Sequence, residues 1–112
     1  MITRTAIFEG RIKPGCEERF LTAFREQLMP MWRDFPHATN IRLLPVQSSD
    51  PGAPQIALVQ QIDYPSVAAL EEALASPARA RARVLTRELM EMFDGRLYHL
   101  VSERHVLEDN ED

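Results

Sequence analysis

Hydrophobic and polar positions follow two periods along this chain, and their order predicts strand, helix, strand, strand, helix, strand. Residues 3–12 run at period two. One face of that strand carries Arg4, Ala6, Phe8, Gly10 and Ile12, and the other carries Thr5, Ile7, Glu9 and Arg11. Both faces mix apolar and polar groups, so neither reads as a plain solvent face. Lys13-Pro14-Gly15 then turns the chain, since Pro14 has a fixed φ and Gly15 tolerates a positive one. Glu17 and Glu18 fall in the first turn of the helix that follows, where the helix dipole favours negative charge. Over residues 16–34 the period becomes helical. Phe20, Phe24, Leu28, Met31 and Phe35 form one apolar stripe, with Trp32 one position off it, at its edge. Pro30 sits inside the pattern and predicts a kink or break near Gln27.

Residues 39–47 and 55–63 read as strands, and the polar segment Ser48-Ser49-Asp50-Pro51-Gly52-Ala53-Pro54 joins them as an antiparallel hairpin with a long loop. In the third strand Ile56, Leu58, Gln60 and Ile62 share one face. Ser66 and Ser76 read as caps of two consecutive helices, over 66–75 and 77–93, with Pro77 as the first residue of the second. Leu85, Leu89 and Met92 form the inner stripe of that second helix. Arg79, Arg83 and Arg87 form an outer, solvated stripe paired with nearby acids, for example Arg87 with Glu91. Asp94-Gly95 ends the helix, and residues 96–106 are the last strand. Four antiparallel strands with helices on one face make a two-layer α+β sandwich in sheet order 4-1-3-2. Val59, Ile7 and Leu43 or Leu44 are too apolar, on opposed faces, for one layer of helices to cover them all, which asks for a partner sheet.

Composition narrows the function more than it names it. The chain has 112 residues, 45% of them hydrophobic, which suits one folded domain over 1–107. Four acids among the last five positions (Glu108, Asp109, Glu111, Asp112) form an acidic tail over 108–112, expected to be mobile. Without it the 13 basic residues balance 13 acidic ones, since 17 minus 4 is 13. A neutral body without a basic stripe argues against a nucleic-acid partner. Cys16 is the single cysteine, so no internal disulfide forms, and the three histidines make no metal-binding spacing with it. No signal peptide and no apolar run long enough to span a bilayer appear. The expectation is a cytoplasmic protein with no membrane partner, metal or other cofactor.

The chain resembles the dimeric α+β barrel superfamily, which has a ferredoxin-like βαββαβ fold and includes EthD-type proteins and antibiotic-biosynthesis monooxygenases. The resemblance lies in Phe8-Glu9-Gly10-Arg11-Ile12-Lys13-Pro14-Gly15, with Glu18 and Phe20 following. It lies also in the segment from Ser66 to Pro77, which looks most like EthD-type proteins, and in the element order over residues 3–106. It implies a homodimer whose sheets face each other, and a small pocket near the sheet. In some relatives that pocket oxidises or cyclises aromatic polyketides without metal or flavin. The chain lacks the His-Pro-x-x-His segment of the stress-responsive branch and the Asn/Trp/Arg pattern of the haem-degrading branch.

The candidate site residues have two readings each. His99 alternates with Leu97 and Val101, and an imidazole on an apolar strand face is a candidate general base. The structural alternative is a hydrogen-bonded core or interface histidine. Arg81, close to Leu85 in helical angle, and Arg4 are candidates to hold a carboxylate or phenolate. The alternative has their stems packed on the core and their heads in water. Trp32, Tyr64 and Tyr98 are able to stack on an aromatic ligand or simply to pack. Of these, Trp32 and Tyr64 are the ones expected to bound the ring. His37 and His105 read as surface or turn residues. Cys16, at a helix start, has no visible partner base. Two functions stay in view. One is a cofactor-independent oxygenase, cyclase or isomerase acting on a small aromatic or enolisable substrate. The other is a non-catalytic dimeric module that binds a small molecule or a protein.

Overall fold

The computed structural model describes residues 1–108, so all of the acidic tail but Glu108 lies outside the described residues. The strands are β1 (Ile2–Ile12), β2 (Thr39–Pro45), β3 (Ile56–Tyr64) and β4 (Phe93–Glu103). The helices are α1 (Glu17–Ala23), α2 (Met29–Arg33), α3 (Val67–Leu74) and α4 (Pro77–Leu89). All strand pairs are antiparallel, and the sheet order is β2-β3-β1-β4. This is the expected α+β sandwich, with the helices covering one face. Among the described residues no helix is long and apolar enough to cross a membrane.

The predicted break near Gln27 is a π-helical turn over Phe24–Leu28, in which the Met29 N–H donates to the Phe24 carbonyl. Pro30 explains it. Its ring would strike the carbonyl of Glu26 in a regular helix, and a wider turn makes room. The extra residue also rotates the apolar stripe. Trp32 is buried rather than at the edge, and Met31 is only half-buried. The core is aromatic. Phe8 meets Phe20, Phe24 and Phe93 edge-on at centroid distances of 6.5, 5.3 and 6.1 Å.

Ser66 and Ser76 cap their helices as predicted. Ser66 Oγ accepts from the Ala69 N–H at 3.1 Å, and Ser76 Oγ from the Arg79 N–H at 3.2 Å. The end of α4 differs from expectation. The helix stops at Leu89, Met90–Met92 form a tight 3-10 turn, and Asp94-Gly95 already belongs to β4. Phe93 turns into the aromatic core, and Gly95 pairs across the sheet with Gly10. Both glycines have positive φ, +131° and +152°, and a Cβ on either would overlap backbone of the opposing strand. So the Asp-Gly pair serves strand approach, not helix termination. Gly95→Ala is expected to lower unfolding free energy by about 1–3 kcal/mol, as urea titration would read, since neither backbone has room to yield.

The helix-free sheet face is divided. Asp63 has 0% exposure, yet it lies at the surface of the sheet and is covered by polar side chains rather than by the core. Thr3 Oγ1 donates to it at 2.6 Å, Asn40 Nδ2 at 2.9 Å, and the guanidinium groups of Arg42 and Arg104 approach to 3.3 and 3.1 Å. Burial acts most strongly on this carboxyl and opposes its ionisation. The hydrogen bonds from Thr3, Asn40 and Arg42, with the Arg42 charge, outweigh it and hold the pKa below its ordinary value. A depressed carboxyl stabilises the fold above its unfolded pKa of about 3.9 and loses that contribution as pH falls through the folded value. Asp63→Asn should therefore cost about 2–3 kcal/mol at pH 7, because an amide nitrogen cannot accept from arginine. That cost should shrink in strongly acid solution, which urea titrations at several pH values would follow. The middle of the same face is apolar. Leu44, Val59, Ile7 and Tyr98 lie in one row across all four strands, with Leu100 beside them.

Candidate functional site

Between the sheet and the helices runs an open groove of about 380 Å³. Its floor follows from register. Gln60, Ala6 and His99 stand side by side on β3, β1 and β4, facing the helices. Ala6 is the smallest of the three, so a gap opens above it. Phe24, Trp32 and Phe35 close one wall. The other wall is α4, where Ala82 keeps the helix close and Arg79, Arg83, Thr86 and Arg87 face the space. Phe8, Leu97 and Met90 line it as well.

His99 and Arg4 thus open into one cavity, with Trp32 against it. Arg81 and Tyr64 do not line it. Arg81 is exposed and lies on the opposite flank of α4. The buried centre of that helix is Ala78, Ala82 and Leu89. At about 100° per residue, Arg79, Arg83 and Thr86 fall to one side of that centre and Arg81 to the other. Tyr64 is buried at the end of β3, opposite Ile2. Tyr98 is on the helix-free face, with Arg96 over its ring at 4.9 Å. His37 and His105 are exposed and pair with Glu72 and Glu103, each at 2.8 Å. Among the described residues no three His, Cys, Asp or Glu side chains come together as a metal site.

The arginine stripe is exposed at Arg83 and Arg87 as expected, but the expected pairing with acids such as Glu91 is not found among the described residues. Arg79, Arg83 and Arg87 line the groove. Gln60 was also passed over. Its signal was present, since it is the one polar residue on an otherwise apolar inward face with Leu58 and Ile62, and local rule-breaking of that kind marks functional positions.

The electrostatics are one-sided. Among the described residues no Asp or Glu lines the groove. Burial lowers the pKa of Arg4, and Arg79 and Arg83 lower it further. Burial also lowers Arg79, with Arg83 adding to the effect. His99 is exposed in the single chain, and its inward side lines the groove. Burial first, then the charges of Arg4, Arg79 and Arg83, push its pKa down to about 4. The imidazole is neutral at pH 7 and carries a free lone pair.

No protein-family model matches the chain, and no curated protein matches it significantly. Solved structures do. An EthD family protein from Bacillus halodurans superposes with a TM-score of 0.74 at 16% identity, over 94% of this chain and 99% of that one. A variant of a cofactor-independent oxygenase from Streptomyces nogalater gives 0.68 at 18% identity, over 96% and 97%. A dimeric ferredoxin-like protein of unknown function from Jannaschia gives 0.66 at 16%, over 93% and 100%. At such identities the likeness establishes the fold and leaves the reaction to the site. The chain has a ferredoxin-like fold.

Proposed function

We propose that the protein is a cofactor-free enzyme that removes a proton from a small aromatic or enolisable substrate, and that it works as a homodimer. The observation that carries this reading is the neutral His99 opening into the same groove as Arg4, beside an aromatic wall. A neutral imidazole accepts a proton, and the electron pair of the broken C–H or O–H bond stays on the substrate as an enolate or phenolate. Arg4 and Arg79 stand where such an anion would be stabilised. Protonation at another carbon would complete an isomerisation, and attack on an internal carbonyl a cyclisation. The homodimer is supported by the apolar row on the helix-free face, where Leu44 is 45% and Leu100 49% exposed.

The test is deuterium uptake from heavy water into 2-tetralone and 1,3-dihydroxynaphthalene, followed by NMR. Acceleration above the buffer rate that disappears in His99→Gln is the expected result. Background rates for both compounds would overturn the enzymatic reading. One observation favours the binding module instead. The His99 ring makes no hydrogen bond among the described residues, so no third group fixes its tautomer as in most base-activated sites. Binding of these compounds without exchange would establish that reading.

A further inference from the structure

We infer that the natural ligand of the groove is a small organic acid, with its carboxylate among Arg4, Arg79 and Arg83 and an apolar body lying over Ala6. This rests on the groove being the ligand site and goes beyond the proton-transfer reading by naming the charge and shape of what enters. The groove has two unlike ends. Arg4 on β1 and Arg79 and Arg83, one turn apart on α4, all line it; the charges of Arg79 and Arg83 lower the pKa of Arg4, and all three lower that of His99. They mark the cationic end. Successive turns of α4 lead from Arg79 and Arg83 past Thr86, with Arg87 at the exposed rim, to Met90 just beyond the helix, while β1 and β4 lead to the paired Phe8 and Leu97. That end is apolar.

Cations gathered in a half-enclosed space without a counter-charge are costly, and no acid among the described residues lines the groove. A bound anion would supply one. Independently, Gln60 is only 8% exposed, and its amide makes no hydrogen bond among the described residues. No buried side-chain nitrogen or oxygen there is shut away without a partner, so this amide still reaches the groove. An amide held in this way, across the Ala6 gap from His99, is placed to bond a polar substituent on a ligand. An inorganic anion would satisfy the arginines but would leave the Ala6 floor, Trp32 and Met90 uncovered. A flat body bearing one carboxylate meets both ends.

Calorimetry with 2-naphthoate, benzoate and cinnamate, each set against its neutral carboxamide and against inorganic phosphate, tests the inference. At least one acid should bind about tenfold more tightly than its amide. Arg83→Gln should remove most of that preference and leave the amide unchanged. Arg81→Gln removes the same charge from the far flank of α4 and should change neither. Because Arg83 is exposed, its variant should fold, and Ala6→Leu provides a second check by filling the gap and abolishing acid binding. Equal binding of acid and amide would overturn the inference. So would equal losses in the Arg83 and Arg81 variants, phosphate binding as tight as any of the acids, or no binding by any acid. An acid preference without deuterium exchange would sink the enzymatic reading and leave this one standing. Exchange without an acid preference would do the reverse.

Discussion

Replacing His99 by glutamine is expected to slow proton removal from 2-tetralone by about 10²-fold or more, in kcat rather than in KM. Glutamine fills similar space and still offers an oxygen to a ligand, but it cannot take a proton at neutral pH. The pH dependence separates a base from a packing residue. The charged groups that line the groove with His99 are Arg4, Arg79, Arg83 and Arg87, all cationic, and among the described residues no carboxylate lines it. Burial first, then the charges of Arg4, Arg79 and Arg83, hold His99 at about 4, below its ordinary value. The acid limb of kcat/KM should therefore fall as pH drops through about 4 rather than through the ordinary histidine range. The same shift has a stability consequence with a definite sign. Between its folded and unfolded pKa values the native His99 binds fewer protons than the unfolded one, so stability declines as pH is lowered from about 6.5 towards the folded value. His99→Gln should remove that decline along with the activity. An unchanged rate in the variant would leave His99 as a structural residue.

The fold was legible because turns and caps carry their own chemistry. Lys13-Pro14-Gly15, Ser66 and Ser76-Pro77 each announce an element boundary through local geometry. The site was less legible because its geometry depends on pairs that meet only in space. A period-four arginine stripe beside Leu85 and Leu89 reads as a solvated face. What turns it towards a ligand is the gap above Ala6, and that gap exists because Ala6 sits between Gln60 and His99 in the folded register. Arg81 illustrates the limit from the other side. Its angle near Leu85 is real, but the groove opens on the opposite flank of the buried centre. Asp94-Gly95 shows that a dipeptide able to end a helix is equally able to let two strands approach, and only the opposing Gly10 decides between them. Trp32 moved from edge to core for a reason a regular period cannot express, namely the extra residue of the π turn ahead of Pro30.

Val59→Glu is expected to convert the protein from dimer to monomer at micromolar concentration, with both forms folded. Val59 stands in the central row of the helix-free face between Leu44 and Ile7, away from the aromatic core. In a single chain the new carboxylate would reach water, so the monomer should lose little stability. In a dimer with two-fold symmetry each substitution occurs twice, and two carboxylates would be buried against an apolar row or against each other. That penalty opposes an interface expected to bury roughly 1,600 Å² in total. Light scattering should report twice the chain mass for the unsubstituted protein and the single-chain mass for the variant. Leu100→Gln, beside the row rather than within it, should weaken association less. A monomeric unsubstituted protein would show that the apolar row is not a dimer interface. Since the groove lies on the other side of the sheet, acid binding in the Val59 variant should survive in the monomer. Its loss would mean that the partner's sheet holds the floor residues Gln60, Ala6 and His99 in place.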